Sequence, residues 1–226
     1  MENPEVLLGW FVVFIFSVTV HEAAHAWMAL RGGDQTAYAG GQVSLNPLPH
    51  MRREPFGMVM LPIISIVVVG WPIGYASAPF DPAWAERHHK RAAIMALAGP
   101  LSNLIIALAC MVIMYVGLHS GVFNPGTNIY LQVVTAEQGS MLWAFTWLLS
   151  MMLLMNLLLF VINILPIPPL DGSAVLPLFL SENLTRRYQA FIHNPIFAIM
   201  GMFFIFFIIR YIYPPVHTLA IKLIYA

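Results

Sequence analysis

Eight residues, V-H-E-A-A-H-A-W from Val20 to Trp27, put two histidines and a glutamate at the end of an apolar run. Ionisable groups inside a membrane-length segment are costly and mark function. His21 and His25 are four apart, so on a helix they share a face and both reach one metal ion, with Glu22 beside them as a general base. Such a pair suits zinc, whose catalytic sites take three protein ligands and keep one position open. The third ligand must come from elsewhere, and the candidate is Asp171 in N-I-L-P-I-P-P-L-D-G, Asn163 to Gly172. Pro166, Pro168 and Pro169 cannot continue a helix, so the segment ending near Asn163 breaks into extended backbone, from which an Asp at a turn can be aimed sideways. A third cluster, A-L-A-G-P-L-S-N from Ala96 to Asn103, sets a carboxamide one turn beyond Gly99-Pro100. At membrane depth Asn103 needs a hydrogen-bond partner.

These residues need elements to carry them, and composition says which. The 226 residues are 60% hydrophobic and 9% charged, with a mean hydropathy of +0.79, far from soluble averages. The expectation is an α-helical polytopic membrane protein. Basic and acidic residues balance at ten each, and no basic stripe could neutralise a phosphate backbone, so nucleic acid is excluded as a partner. The single cysteine, Cys110, reads as a small buried hydrophobe. No basic n-region precedes the first apolar stretch and no small-residue cleavage site follows it, so that segment is expected to stay in the mature protein.

A helix needs about 20 apolar residues to cross roughly 30 Å of hydrocarbon, and windows at about 6–30, 92–117, 142–165 and 196–213 qualify. A fifth, from Gly57 to Gly70, is too short alone and carries Pro62. Basic residues cluster in three connecting stretches: Arg31, Arg52 and Arg53; Arg87, Lys90 and Arg91; Arg186 and Arg187. The positive-inside rule sets all three in the cytoplasm, so segment 57–77 must enter and leave on one side. The expected total is about four to five transmembrane helices with a re-entrant element. Segment T-A-Y-A-G-G-Q-V-S reads as two short strands around Gly40-Gly41, a hairpin near the cytoplasmic side whose free edge could hold an unwound substrate by strand addition. His50, His88, His89 and His193 lie among charges or prolines and read as solvated.

With these clusters in view, the chain resembles the site-2 protease family of intramembrane zinc metalloproteases. The resemblance rests on H-E-A-A-H, G-P-L-S-N and N-I-L-P-I-P-P-L-D-G, in that order. It implies one Zn2+ held by His21, His25 and Asp171, a water activated by Glu22, and Asn163 and Asn103 positioning substrate or stabilising the oxyanion. It implies transmembrane protein substrates and the lipid bilayer as partners, and a multi-pass protein of the cell membrane with its site toward the cytoplasm. PDZ and CBS domains, which some members carry, do not fit here. The expected organisation is one domain over 1–226 with its catalytic core at about 6–172. Intramembrane His, Glu and Asp also build ion sites in transporters and channels, but those often repeat internally, and the three clusters here do not.

Overall fold

The structure, a computed structural model, describes residues 4–192 and 194–226. His193 therefore lies outside the described residues. Four helices are long and apolar enough to span a membrane: α1 (Pro4–Gly32), α6 (His89–His119), α7 (Met141–Asn163) and α10 (Pro195–Tyr225). They match the four expected windows, except that α10 runs on through Pro214 and Pro215 to Tyr225. The chain is an integral membrane protein. Helix α6 is central, packing against α1, α7 and α10. The core between the helices is apolar, from Trp10 and Phe14 of α1 through Met114 of α6 to Leu153 and Met155 of α7.

Between α1 and α6 lie α2 (Thr36–Ala39), α3 (Pro47–Arg53), a π-turn at Phe56–Met60 continuing into α4 (Leu61–Val69), and α5 (Pro82–Arg87). Helices α3, α5 and α10 each start at an Asn-Pro or Asp-Pro pair. The side chains of Asn46, Asp81 and Asn194 accept from the amides of Leu48, Ala83 and Ile196, while the proline at the first helical position gives up a donor that would go unused.

Segment 56–81 re-enters. Helix α4 ends at Gly70, whose φ of 74° reverses the chain, and the return limb runs back beside it, with Ile73 N–H donating to Ser65 Oγ at 2.7 Å and Tyr75 N–H to the Gly57 carbonyl at 3.1 Å. Trp71, at the tip, meets Trp10 near the start of α1, ring centroids 4.1 Å apart. The loop is deep. It is anchored at its mouth where Asp34 accepts from Asp81 N–H at 2.9 Å. Burial opposes the charge on Asp34, yet the hydroxyl and amide of Thr36 and the Asp81 amide hold its carboxyl below the ordinary range.

The hairpin is not where the sequence suggested. Residues 36–39 form a helical turn, nucleated by Asp34 Oδ1 accepting from both Thr36 N–H and Thr36 Oγ1–H, and 40–46 are turn and bend. The two antiparallel strands are β1 (Asn124–Asn128) and β2 (Gln132–Thr135), between α6 and α7, at the end of the bundle away from α2. There Val133 N–H donates to Ser150 Oγ of α7 at 3.0 Å, and Tyr225 of α10 reaches the Val133 carbonyl. His50 is not solvated either. It is 1% exposed and bonded to the Ser44 carbonyl.

The three basic stretches share one end. Arg91 and Trp84 both donate to the Gly32 carbonyl at 3.1 Å, Ser77 bonds Glu54 next to Arg53, and residues 87–91 face Glu182 and Thr185 of α9 (Glu182–Ile192) across a crevice. Cysteines replacing Arg52, His88 and Arg186 are expected to label with a membrane-impermeant thiol reagent from the same side. Opposite labelling of 52 and 88 would make 57–77 a true span.

Candidate metal centre

The H-E-x-x-H turn lies two-thirds of the way along α1, where His21, Glu22 and His25 are each 5–6% exposed. Asp171 opens α8 (Asp171–Val175). The prolines after Asn163 stop α7 as expected, and α8 then folds back tightly on the end of α7. A Cβ on Gly172 would overlap the Ile164 and Leu165 carbonyl oxygens, so only glycine after Asp171 permits this approach. The result brings the Asp171 carboxylate across 150 residues of sequence to 3.0 Å from His21 Nε2 and 3.3 Å from His25 Nε2, the two Nε2 atoms being 3.0 Å apart.

The tautomers are fixed from behind. His21 Nδ1–H donates to Asn103 Oδ1 at 2.6 Å, and His25 Nδ1–H to the Met95 carbonyl at 2.7 Å. Both acceptors lack a proton to give, so each Nε2 presents a lone pair. Three electron-pair donors facing one point repel unless a cation lies among them, and two imidazoles with one carboxylate form a zinc-type set. Two further observations fit a metal. Gly99 faces the Nε2 atoms, and a Cβ there would overlap His25 Nε2 and lie 2.5 Å from His21 Nε2. Glu22 Oε2 is buried with no hydrogen-bond partner. Among the described residues this is the single group of three that could hold an ion; His88 and His89 do not join one.

Asn103, fully buried, is spent on the back of His21, and its Nδ2 donates to Asn156 Oδ1 at 2.8 Å. Asn156 in turn donates to Ser17 Oγ at 2.9 Å and the Met152 carbonyl at 2.8 Å. This chain of amides ties α1, α6 and α7 behind the cluster. Sequence reasoning passed over Asn156, although a lone carboxamide in M-L-L-M-N-L-L-L carries the same signal as Asn103. Asn163 bonds back to the Leu159 carbonyl at 3.0 Å, and no hydrogen bond joins it to the cluster. Replacing Asn103 with leucine is expected to weaken metal affinity about 10- to 100-fold, the usual effect of losing a partner behind a ligand, as read by competition with a chromophoric chelator.

In front of the cluster is a cavity of about 540 Å³. Glu22, His25 and Asp171 line it, together with Ala76 and Ser77 of the return limb and Gln189 of α9.

Residues 9–208 match the model of peptidase family M50. Similar proteins carry the name "Putative zinc metalloprotease". YwhC of Bacillus subtilis is 33% identical over 181 residues, 76% of this chain and 70% of that protein. Rip2 of Mycolicibacterium smegmatis is 29% identical over 183 residues, 80% of this chain and 59% of that protein, and Rip2 of Mycobacterium tuberculosis is 30% identical over 173 residues, 76% and 55%. The chain thus spans little more than half the length of the Rip2 proteins. No solved structure matches.

Proposed function

The chain belongs to peptidase family M50, and from that premise we propose that it is an intramembrane zinc metalloendopeptidase. It cuts peptide bonds within or near the spans of other membrane proteins, toward the arginine-bearing end of its bundle, which faces the cytoplasm of the cell membrane. The observation that carries this reading is the convergence of His21 Nε2, His25 Nε2 and the Asp171 carboxylate beside a buried, unpartnered carboxylate at the wall of a cavity.

His21, His25 and Asp171 would hold the metal, which when bound would supply Lewis acidity toward a water and a scissile carbonyl. Glu22, whose free oxygen faces no competing donor, would take a proton from a water at the cluster and return it to the leaving amine. Asn103 and Asn156 act as positioning residues, holding His21 in one tautomer. Burial of the site below the apolar end of α1 keeps bulk water from the reaction except through the cavity.

A substrate span hides its carbonyls in its own helix and must unwind before attack, and its freed backbone groups need partners. The return limb of the re-entrant loop offers them. Ala76, Ser77, Ala78 and Phe80 line the cavity, and among the described residues their amides donate to no group. An extended substrate segment can pair there, a role the 36–45 segment, being helical and turned, cannot serve.

The test is co-expression with candidate single-span proteins whose spans carry Gly or Pro, which weaken the helix. Wild type should release a fragment that the Glu22→Gln variant does not. A zinc-loaded wild-type protein that cuts none of these spans would overturn the proposal.

A further inference from the structure

Arg210 stands at the middle of α10, fifteen residues from Pro195 and fifteen from Tyr225. Packing fixes its depth independently. Tyr213, one turn further on, reaches the Leu154 carbonyl of α7, and Leu154 is two residues from Asn156, which bonds Ser17 midway along α1. Arg210 is therefore level with the centre of three spanning helices. From there roughly 15 Å of hydrocarbon lies on either side, more than an arginine side chain can bridge by snorkelling.

It also faces outward. Arg210 is exposed, on a stripe with Phe203, Phe206 and Phe207, each 59–67% exposed. Among the described residues no carboxylate pairs with it. Its guanidinium carbon lies 5.6 and 5.0 Å from the ring centroids of Phe207 and Tyr211. These contacts offset part of the charge, but among the described residues its five N–H donors find no acceptor. A guanidinium so set in lipid is among the costliest side chains a span can carry, and every other Lys and Arg of the chain lies in a connection, in short α3, α5 or α9, or within a few residues of a spanning helix's end.

We propose that this face of α10 docks a transmembrane helix of a different protein, one carrying Asp or Glu near the middle of its span. Charge decides the occupant. A second copy of this chain would set Arg210 against arginine, and its acidic residues offer no remedy: within the spanning helices they are Glu22, buried at the metal centre, and Glu5, in the first turn of α1. A carboxylate from another span neutralises the charge and accepts two N–H bonds in parallel. The docked helix sits clear of the peptidase cavity, which no α10 residue lines, so it is a resident partner and not a span being cut.

The test uses the full chain in phosphatidylcholine liposomes and synthetic Leu/Ala single-span helices with Asp, Asn or Leu at the centre. Association is read by energy transfer between dyes on the chain and the probe. The Asp probe is expected to bind about tenfold more tightly than the Leu probe, the scale of a polar contact between spans, with the Asn probe between. Arg210→Lys should keep most of that preference. Arg210→Leu and Arg210→Gln should both lose it while holding wild-type amounts of zinc, and should the leucine variant fail to fold, the glutamine variant decides. Equal binding of the Asp and Leu probes to wild type, or a preference that survives Arg210→Gln, would overturn the proposal.

Discussion

Alanine at position 99 is expected to empty the metal site and leave the bundle intact. A methyl group there would fall onto His25 Nε2 and within 2.5 Å of His21 Nε2. The rings cannot retreat without giving up the 2.6 Å bond to Asn103 or the 2.7 Å bond to the Met95 carbonyl, and in a buried site each unmade bond carries a desolvation cost of about 1–3 kcal/mol. The methyl group also takes the space toward which both lone pairs point. Zinc in purified protein should drop from about one per chain to less than about a tenth of that. The helix itself should not suffer, because alanine is the better helix former by about 0.8–1 kcal/mol. Far-ultraviolet circular dichroism should therefore be unchanged. Full zinc content in Gly99→Ala would mean that the donors do not meet in front of α6.

Glu22→Gln should separate binding from turnover. The carboxamide is close in shape, so it fits the same 5% exposed position on α1 and leaves the three donors undisturbed. What it lacks is the ability to take a proton, and a positioned general base is worth roughly 10²- to 10⁴-fold in rate. Zinc content should stay near one per chain while cleavage falls by at least about a hundredfold. Were zinc to fall in proportion to activity, Glu22 would be a ligand or a structural prop and not the base. The two variants thus fail differently, the first in both readouts and the second in one.

The readable parts of the chain are those where chemistry and depth act together. H-E-A-A-H announces itself because three ionisable groups in an apolar run demand an explanation, and the spans follow from length and hydropathy. The re-entrant loop follows from arginines that must share a side, and Tyr75 pairs with Gly57 accordingly. The misreadings come from segments where a single neighbour decides. T-A-Y-A-G-G-Q-V-S has the look of a hairpin, yet Asp34 captures Thr36 twice and starts a helical turn. The actual first strand, N-P-G-T-N, is made of turn residues and exists because β2 and Tyr225 provide partners for it. Only the folded geometry reveals that Gly99 faces the donors. Arg210 was hidden by averaging, since one charge barely dents the hydropathy of a 31-residue helix.

The most direct test of the metallopeptidase account joins metal and cleavage in one preparation. The purified chain in liposomes, with a single-span substrate whose helix carries Gly or Pro, is stripped with a chelator and titrated with zinc. The account predicts that cleavage is lost on stripping, returns in step with zinc bound to about one ion per chain, and never returns in Asp171→Ala at zinc concentrations that saturate wild type. Cleavage that persists without metal, or an Asp171→Ala protein that binds zinc and cuts as wild type does, would contradict it.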